Sequence, residues 1–140
     1  MEPAKKENHL NSKFWKMVFL VAGLYTAGGV LPGIINPQKG IMSFTGKETN
    51  DFYSIFFFQN LWITVLVFGI GYLIVATKPS KYTGIIIIGL TGKLLFASNV
   101  IYNFFNGHLN MMALSAAIVD FVFVILFGIF IYLSQKNLKT

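Results

Sequence analysis

Four long apolar stretches, at residues 14–35, 52–77, 83–105 and 111–133, leave this chain few ways to fold. A helix needs about 20 residues to cross the hydrocarbon of a bilayer, and each stretch is long enough. None carries the polar face that a surface helix of a soluble bundle shows to water. Backbone groups in lipid must be satisfied within the segment, which selects helices. The sequence therefore predicts an all-α polytopic membrane protein. Its core is an antiparallel bundle of four transmembrane helices within residues 14–135, between short cytoplasmic tails at 1–13 and 136–140. Composition agrees: 55% of residues are hydrophobic and 11% charged, against about 25% charged in an ordinary soluble domain. Mean hydropathy is +0.66.

The first stretch has features of a signal peptide, with Lys13 and Lys16 at its start and Ala27-Gly28-Gly29 resembling a cleavage site. The apolar run continues to Ile35, so it reads as a retained anchor. The links at Lys78-Pro79-Ser80-Lys81 and Asn106-Gly107-His108-Leu109-Asn110 are short, which makes the helices they join antiparallel neighbours. Ser80 is available to cap the third helix and Thr49, Asn50 or Asp51 to cap the second. The first link, 36–51, is longer, and Ile41, Met42 and Phe44 are expected to press it onto the membrane surface.

Lysines set the expected orientation. Lys5, Lys6, Lys13, Lys16, Lys78, Lys81, Lys136 and Lys139 fall on one side, and only Lys39 and Lys47 on the other. The positive-inside rule places both termini of the multi-pass protein in the cytoplasm. Trp15, Tyr53, Tyr82 and Tyr132 sit where interfacial anchors belong.

Apart from Lys16 at the start of the first, two charges interrupt the apolar stretches. Lys93 and Asp120 are equidistant from the Asn106–Gly107 turn, so in an antiparallel hairpin they lie at one height near the membrane midplane. A charge there costs roughly 2.5–3.5 kcal/mol on insertion scales, and pairing across the third and fourth helices is the natural relief. Gly89 and Ala97 share the face of Lys93, and Ala116 and Ala117 that of Asp120, so the backbones can approach closely. Tyr25, Trp62 and Thr64 are also near mid-helix. With Gln59, Asn60, Asn99 and Asn103 they form the expected lining of a polar pocket whose floor is the ion pair. The plainer alternative is that the pair fixes helix register and the amides serve as interhelical glue. Gly29 and Pro32 mark a kink or the frayed end of the first helix more readily than a contact surface.

Other chemistry is absent. There is no cysteine, which removes thiolate nucleophiles, disulfide exchange and cysteine-held iron–sulfur clusters from this chain. His9 and His108 have no second ligand at metal spacing. No phosphate loop or catalytic triad is present, and the net charge of +6 reflects membrane-surface lysines, not a nucleic-acid stripe.

The opening Lys13-Phe-Trp-Lys before a glycine-rich helix, Gly92-Lys-Leu and Asp120-Phe-Val-Phe resemble the DoxX-like group of small four-helix bacterial membrane proteins. The resemblance implies the fold; without cysteine it implies no thiol redox activity. The expected role is an accessory or binding component, without catalysis or a cofactor of its own, whose surroundings are the bilayer and a membrane partner or second copy. Its pocket would take that partner or a lipophilic small molecule. Two alternatives stay open: a proton- or ion-coupled transporter using Asp120 and Lys93, and a membrane enzyme subunit acting on a quinone or lipid.

Overall fold

The computed structural model describes residues 9–138, the side chains of 137 and 138 excepted. Among these residues there is no strand. The helices are α1 (Lys13–Ile35), α2 (Pro37–Thr45), α3 (Phe52–Thr77), α4 (Thr83–Phe105) and α5 (Met111–Leu138), with a 3-10 turn at Pro79–Lys81. Four of them, α1, α3, α4 and α5, are long and apolar enough to cross a membrane. The spans 52–77 and 83–105 fall where the hydropathy places them. The last helix outlasts its apolar stretch and takes in residues expected in the tail. Gln135 and Lys136 are good helix formers, and a lysine suits the negative end of the helix dipole.

The bundle is two tight helical pairs joined along a looser seam. In the first pair, small residues let α1 and α3 approach. A Cβ on Gly23 would stand 2.6 Å from Leu73, and one on Gly69 only 2.7 Å from the backbone nitrogen of Ala27. In the second pair, α4 and α5 close over Ala97, Ala113 and Ala117, all fully buried. The short 78–81 link makes α3 and α4 antiparallel neighbours, and they do touch, though less closely than α4 and α5. Bulky rings project into the seam. Near the lysine-rich end these rings fill it: Phe19 meets Phe127 and Phe130 at 4.9 and 5.3 Å, Trp15 meets Phe130 at 5.2 Å, and Tyr72 meets Phe127 at 5.2 Å. Trp15 is thus a core residue and not the interfacial anchor its position suggests, whereas Tyr53 and Tyr132 remain exposed.

The connections hold further corrections. The 36–51 link contains a helix. Asn36 caps it by accepting from the Lys39 N–H at 3.1 Å, Pro37 supplies the preorganised first position, and Gly46 ends it at φ 73°. It does not simply lie on the surface: Met42 is exposed, but Phe44 turns inward against Trp62, ring centroids 5.2 Å apart. Asn110 fastens it there, its backbone N–H donating to the Phe44 carbonyl at 2.9 Å and its side chain to the Ser43 carbonyl at 2.7 Å. Of the three residues able to cap α3, Asp51 does so, accepting from the Ser54 N–H at 2.7 Å. Ser80 does not cap α4, because the 3-10 turn places Tyr82 at the cap position and the Ser80 hydroxyl accepts from Asn11 at 2.9 Å. Asn11 in turn accepts from the Ser80 N–H at 3.1 Å, and Leu10 is buried in the core. The end of the expected tail is therefore packed down, while residues 1–8 lie outside the described residues.

Candidate functional site

Beyond the aromatic layer the seam opens into a cavity of about 520 Å³. Every transmembrane helix contributes a wall, and Phe44 of α2 reaches its far end. Helix periodicity makes the walls: Tyr25, Thr26 and Gly29 recur along one face of α1, and Gly89, Gly92, Lys93 and Phe96 along one face of α4. Gly29, Gly92, Ser115 and Ala116 leave room here among larger side chains such as Phe68 and Phe96. A Cβ on Gly29 would meet nothing within 4 Å.

Lys93 and Asp120 lie on the boundary between the two halves. Their side chains form a direct ion pair across α4 and α5, with 7% and 12% of their surfaces exposed. Lys93 also donates to the Thr26 hydroxyl at 3.2 Å, which ties the α4–α5 pair to α1. Its ammonium lies 5.3 Å from the ring centre of Phe123, 5.6 Å from that of Tyr72 and 6.0 Å from that of Tyr25. A cation within about 6 Å of an aromatic face is attracted by the ring quadrupole, and the effect strengthens when water is excluded. Carboxylate, hydroxyl and three rings thus replace the water that a midplane ammonium loses. Among the described residues no buried polar side-chain atom lacks a hydrogen-bond partner.

Of the sequence-predicted lining, Lys93, Asp120, Tyr25, Trp62 and Thr64 do face the cavity. The four amides do not, so the expected polar pocket is an apolar one. Gln59 is spent on the α1–α3 contact, donating to the Ile34 carbonyl at 2.9 Å. Asn60 donates to the Phe56 carbonyl at 2.8 Å on the exposed side of α3. Asn103 donates to Asn99 at 2.9 Å and 3.1 Å on the outer face of α4. Each amide finds a hydrogen-bond partner on its own helix or across the tight pair, so none has to turn to the cavity. Thr64 and Ser115 do line it, but their hydroxyls donate to carbonyls of their own helices, at 3.0 and 2.7 Å.

The sequence reading passed over Thr26, Tyr72 and Phe123. Thr26 is adjacent to Tyr25, and hydropathy does not decide which of two neighbours turns inward in so apolar a helix. Tyr72 offers a better signal: a tyrosine well inside an apolar stretch needs somewhere to put its hydroxyl, and it is opposite Gly89.

Compared with protein-family models, curated proteins and solved structures, the chain finds no match. No group of His, Cys, Asp or Glu able to hold a metal ion is found among the described residues.

Proposed function

We propose that this protein binds a lipophilic small molecule in the seam between its two helical pairs. In this reading it acts as an accessory or binding component of a bacterial inner membrane, both termini cytoplasmic, and not as an enzyme in its own right. The observation that carries the reading is the cavity. Its volume of about 520 Å³ is within the range of roughly 300–1,000 Å³ usual for small-molecule sites. Leu61, Val65, Phe68 and Phe96 offer apolar wall, and polar chemistry is concentrated at the ion pair. An apolar body carrying one small hydrogen-bonding group is the complementary shape. Entry from the bilayer is consistent with the exposure of Gly29, Thr64, Ser115 and Val119, which line the cavity. The concentration of lysines at one end supports the orientation.

The test is to extract the protein into polymer-bounded lipid discs, purify it, and identify retained lipophilic molecules by mass spectrometry. Gly29→Leu is the matched variant, since its side chain would enter open cavity. A compound retained by the parent and lost from Gly29→Leu supports the proposal. Identical lipid profiles in both would sink it.

Coupled transport is the second reading, favoured by Asp120 lying on the cavity wall. It requires proton-dependent flux of the retained compound in proteoliposomes, abolished in Asp120→Asn.

A further inference from the structure

On the outside of the bundle, at the lysine-rich end, a groove of about 290 Å³ runs between α1 and α3. Its α1 wall is Lys13, Lys16, Met17 and Leu20. Positions i, i+3, i+4 and i+7 share one helix face, so these side chains form a single stripe with charge at its outer end and apolar surface further in. At 1.5 Å per residue the stripe covers about 10 Å of helix axis. Leu73 and Ala76 of α3 form the opposite wall, and Gly23 brings the two helices together at its inner end.

Among the described residues the two lysines have no acidic partner. Neither side chain makes an ion pair or hydrogen bond among the described residues. The nearest acid in either helix or its caps is Asp51, at the far end of α3. Met17 is 49% exposed and Leu20 38%. Two ammonium groups on long stems therefore stand at the end of a membrane span, over an open apolar slot.

We propose that this groove is a binding site for an anionic phospholipid. The phosphate diester sits against the ammonium groups of Lys13 and Lys16, and one acyl chain runs inward along Met17, Leu20 and Leu73. A free phosphate would gain the charges and nothing from the slot. A zwitterionic lipid would bring its own cation to a place where the described residues offer no carboxylate to receive it. Basic pockets between transmembrane helices recognise anionic headgroups on these grounds.

The experiment is native mass spectrometry of the full chain from neutral detergent, titrated separately with dioleoylphosphatidylglycerol and dioleoylphosphatidylcholine. The glycerol lipid is expected to bind about tenfold more tightly. Lys13→Gln/Lys16→Gln should remove that preference, and Leu20→Trp, which fills the slot at unchanged charge, should weaken binding of the anionic lipid. Lys81→Gln/Lys136→Gln, at the same end of the bundle, should leave both unchanged. Equal binding of the two lipids by the parent overturns the proposal. So does loss of the preference in the Lys81/Lys136 variant as complete as in the groove variant, which would mean diffuse attraction. Displacement of the lipid by equimolar inorganic phosphate, or an unchanged affinity in Leu20→Trp, also overturns it.

Discussion

The two halves of the seam differ in the side chains that face it. Near the lysine-rich end Trp15, Phe19, Tyr72, Phe127 and Phe130 close it with edge-to-face rings. Past the ion pair Gly29, Gly92, Ser115 and Ala116 stand among the larger side chains, and a cavity remains. The same pairing of helices thus gives a packed core in one half and a chamber in the other. A membrane protein gains little hydrophobic free energy from closing such a space, because lipid is as apolar as leucine. The open half therefore costs mainly lost packing, a modest sum compared with an empty cavity in a soluble core.

The comparison breaks most sharply at its boundary. Asp120→Asn leaves Lys93 buried without its counter-charge and is expected to destabilise the protein in detergent by about 3–5 kcal/mol. Lys93→Met/Asp120→Leu should recover most of that loss, read by reversible unfolding in mixed micelles. A double variant as unstable as the single would show that Thr26 and the three rings depend on the charge.

Phe127→Ala, in the filled half, is expected to cost about 3–5 kcal/mol, near the lower end of that range. Phe96→Ala, on the cavity wall, should cost under about 1 kcal/mol, as its ring is only half-buried. Equal losses would mean that the two halves do not differ energetically.

Glycine scanning gives a smaller contrast. Gly69→Ala drives a methyl group against the Ala27 backbone and is expected to cost about 1–3 kcal/mol. Gly29→Ala meets nothing and should be neutral or slightly stabilising, since alanine is the better helix former.

The smallest effect belongs outside the membrane. Hydrogen bonds from the Ser54 side chain and N–H hold the Asp51 carboxyl below the ordinary carboxylate range. The cap therefore contributes fully above that range, and its contribution is lost as pH falls through the lowered Asp51 value. Asp51→Asn should flatten this acid-side dependence in a pH series of melting temperatures. An unchanged pH profile would remove Asp51 as its source.

Much of this was legible along the chain. Apolar length alone places the four spans, because a bilayer admits only segments that satisfy their own backbone. The equal distances of Lys93 and Asp120 from the Asn106–Gly107 turn bring them level, and the structure joins them. Alanines beside both charges forecast the close α4–α5 pair. The amides at Gln59, Asn60, Asn99 and Asn103 misled, because an amide near mid-membrane has to find a partner but can find it on its own helix.

What the sequence determined by itself is the set of four membrane-length helices and the one costly pair within them. Both follow from the price of polar groups in lipid, which is local and readable residue by residue. Tertiary structure alone decided that α1 pairs with α3 more closely than α3 with α4, that Phe44 turns inward, and that one half of the seam stays open. These depend on which face of a nearly uniform apolar helix turns inward. In these helices hydropathy barely varies around the axis, so shape decides: a glycine opposite Leu73 or Trp62, a phenylalanine where no glycine answers it.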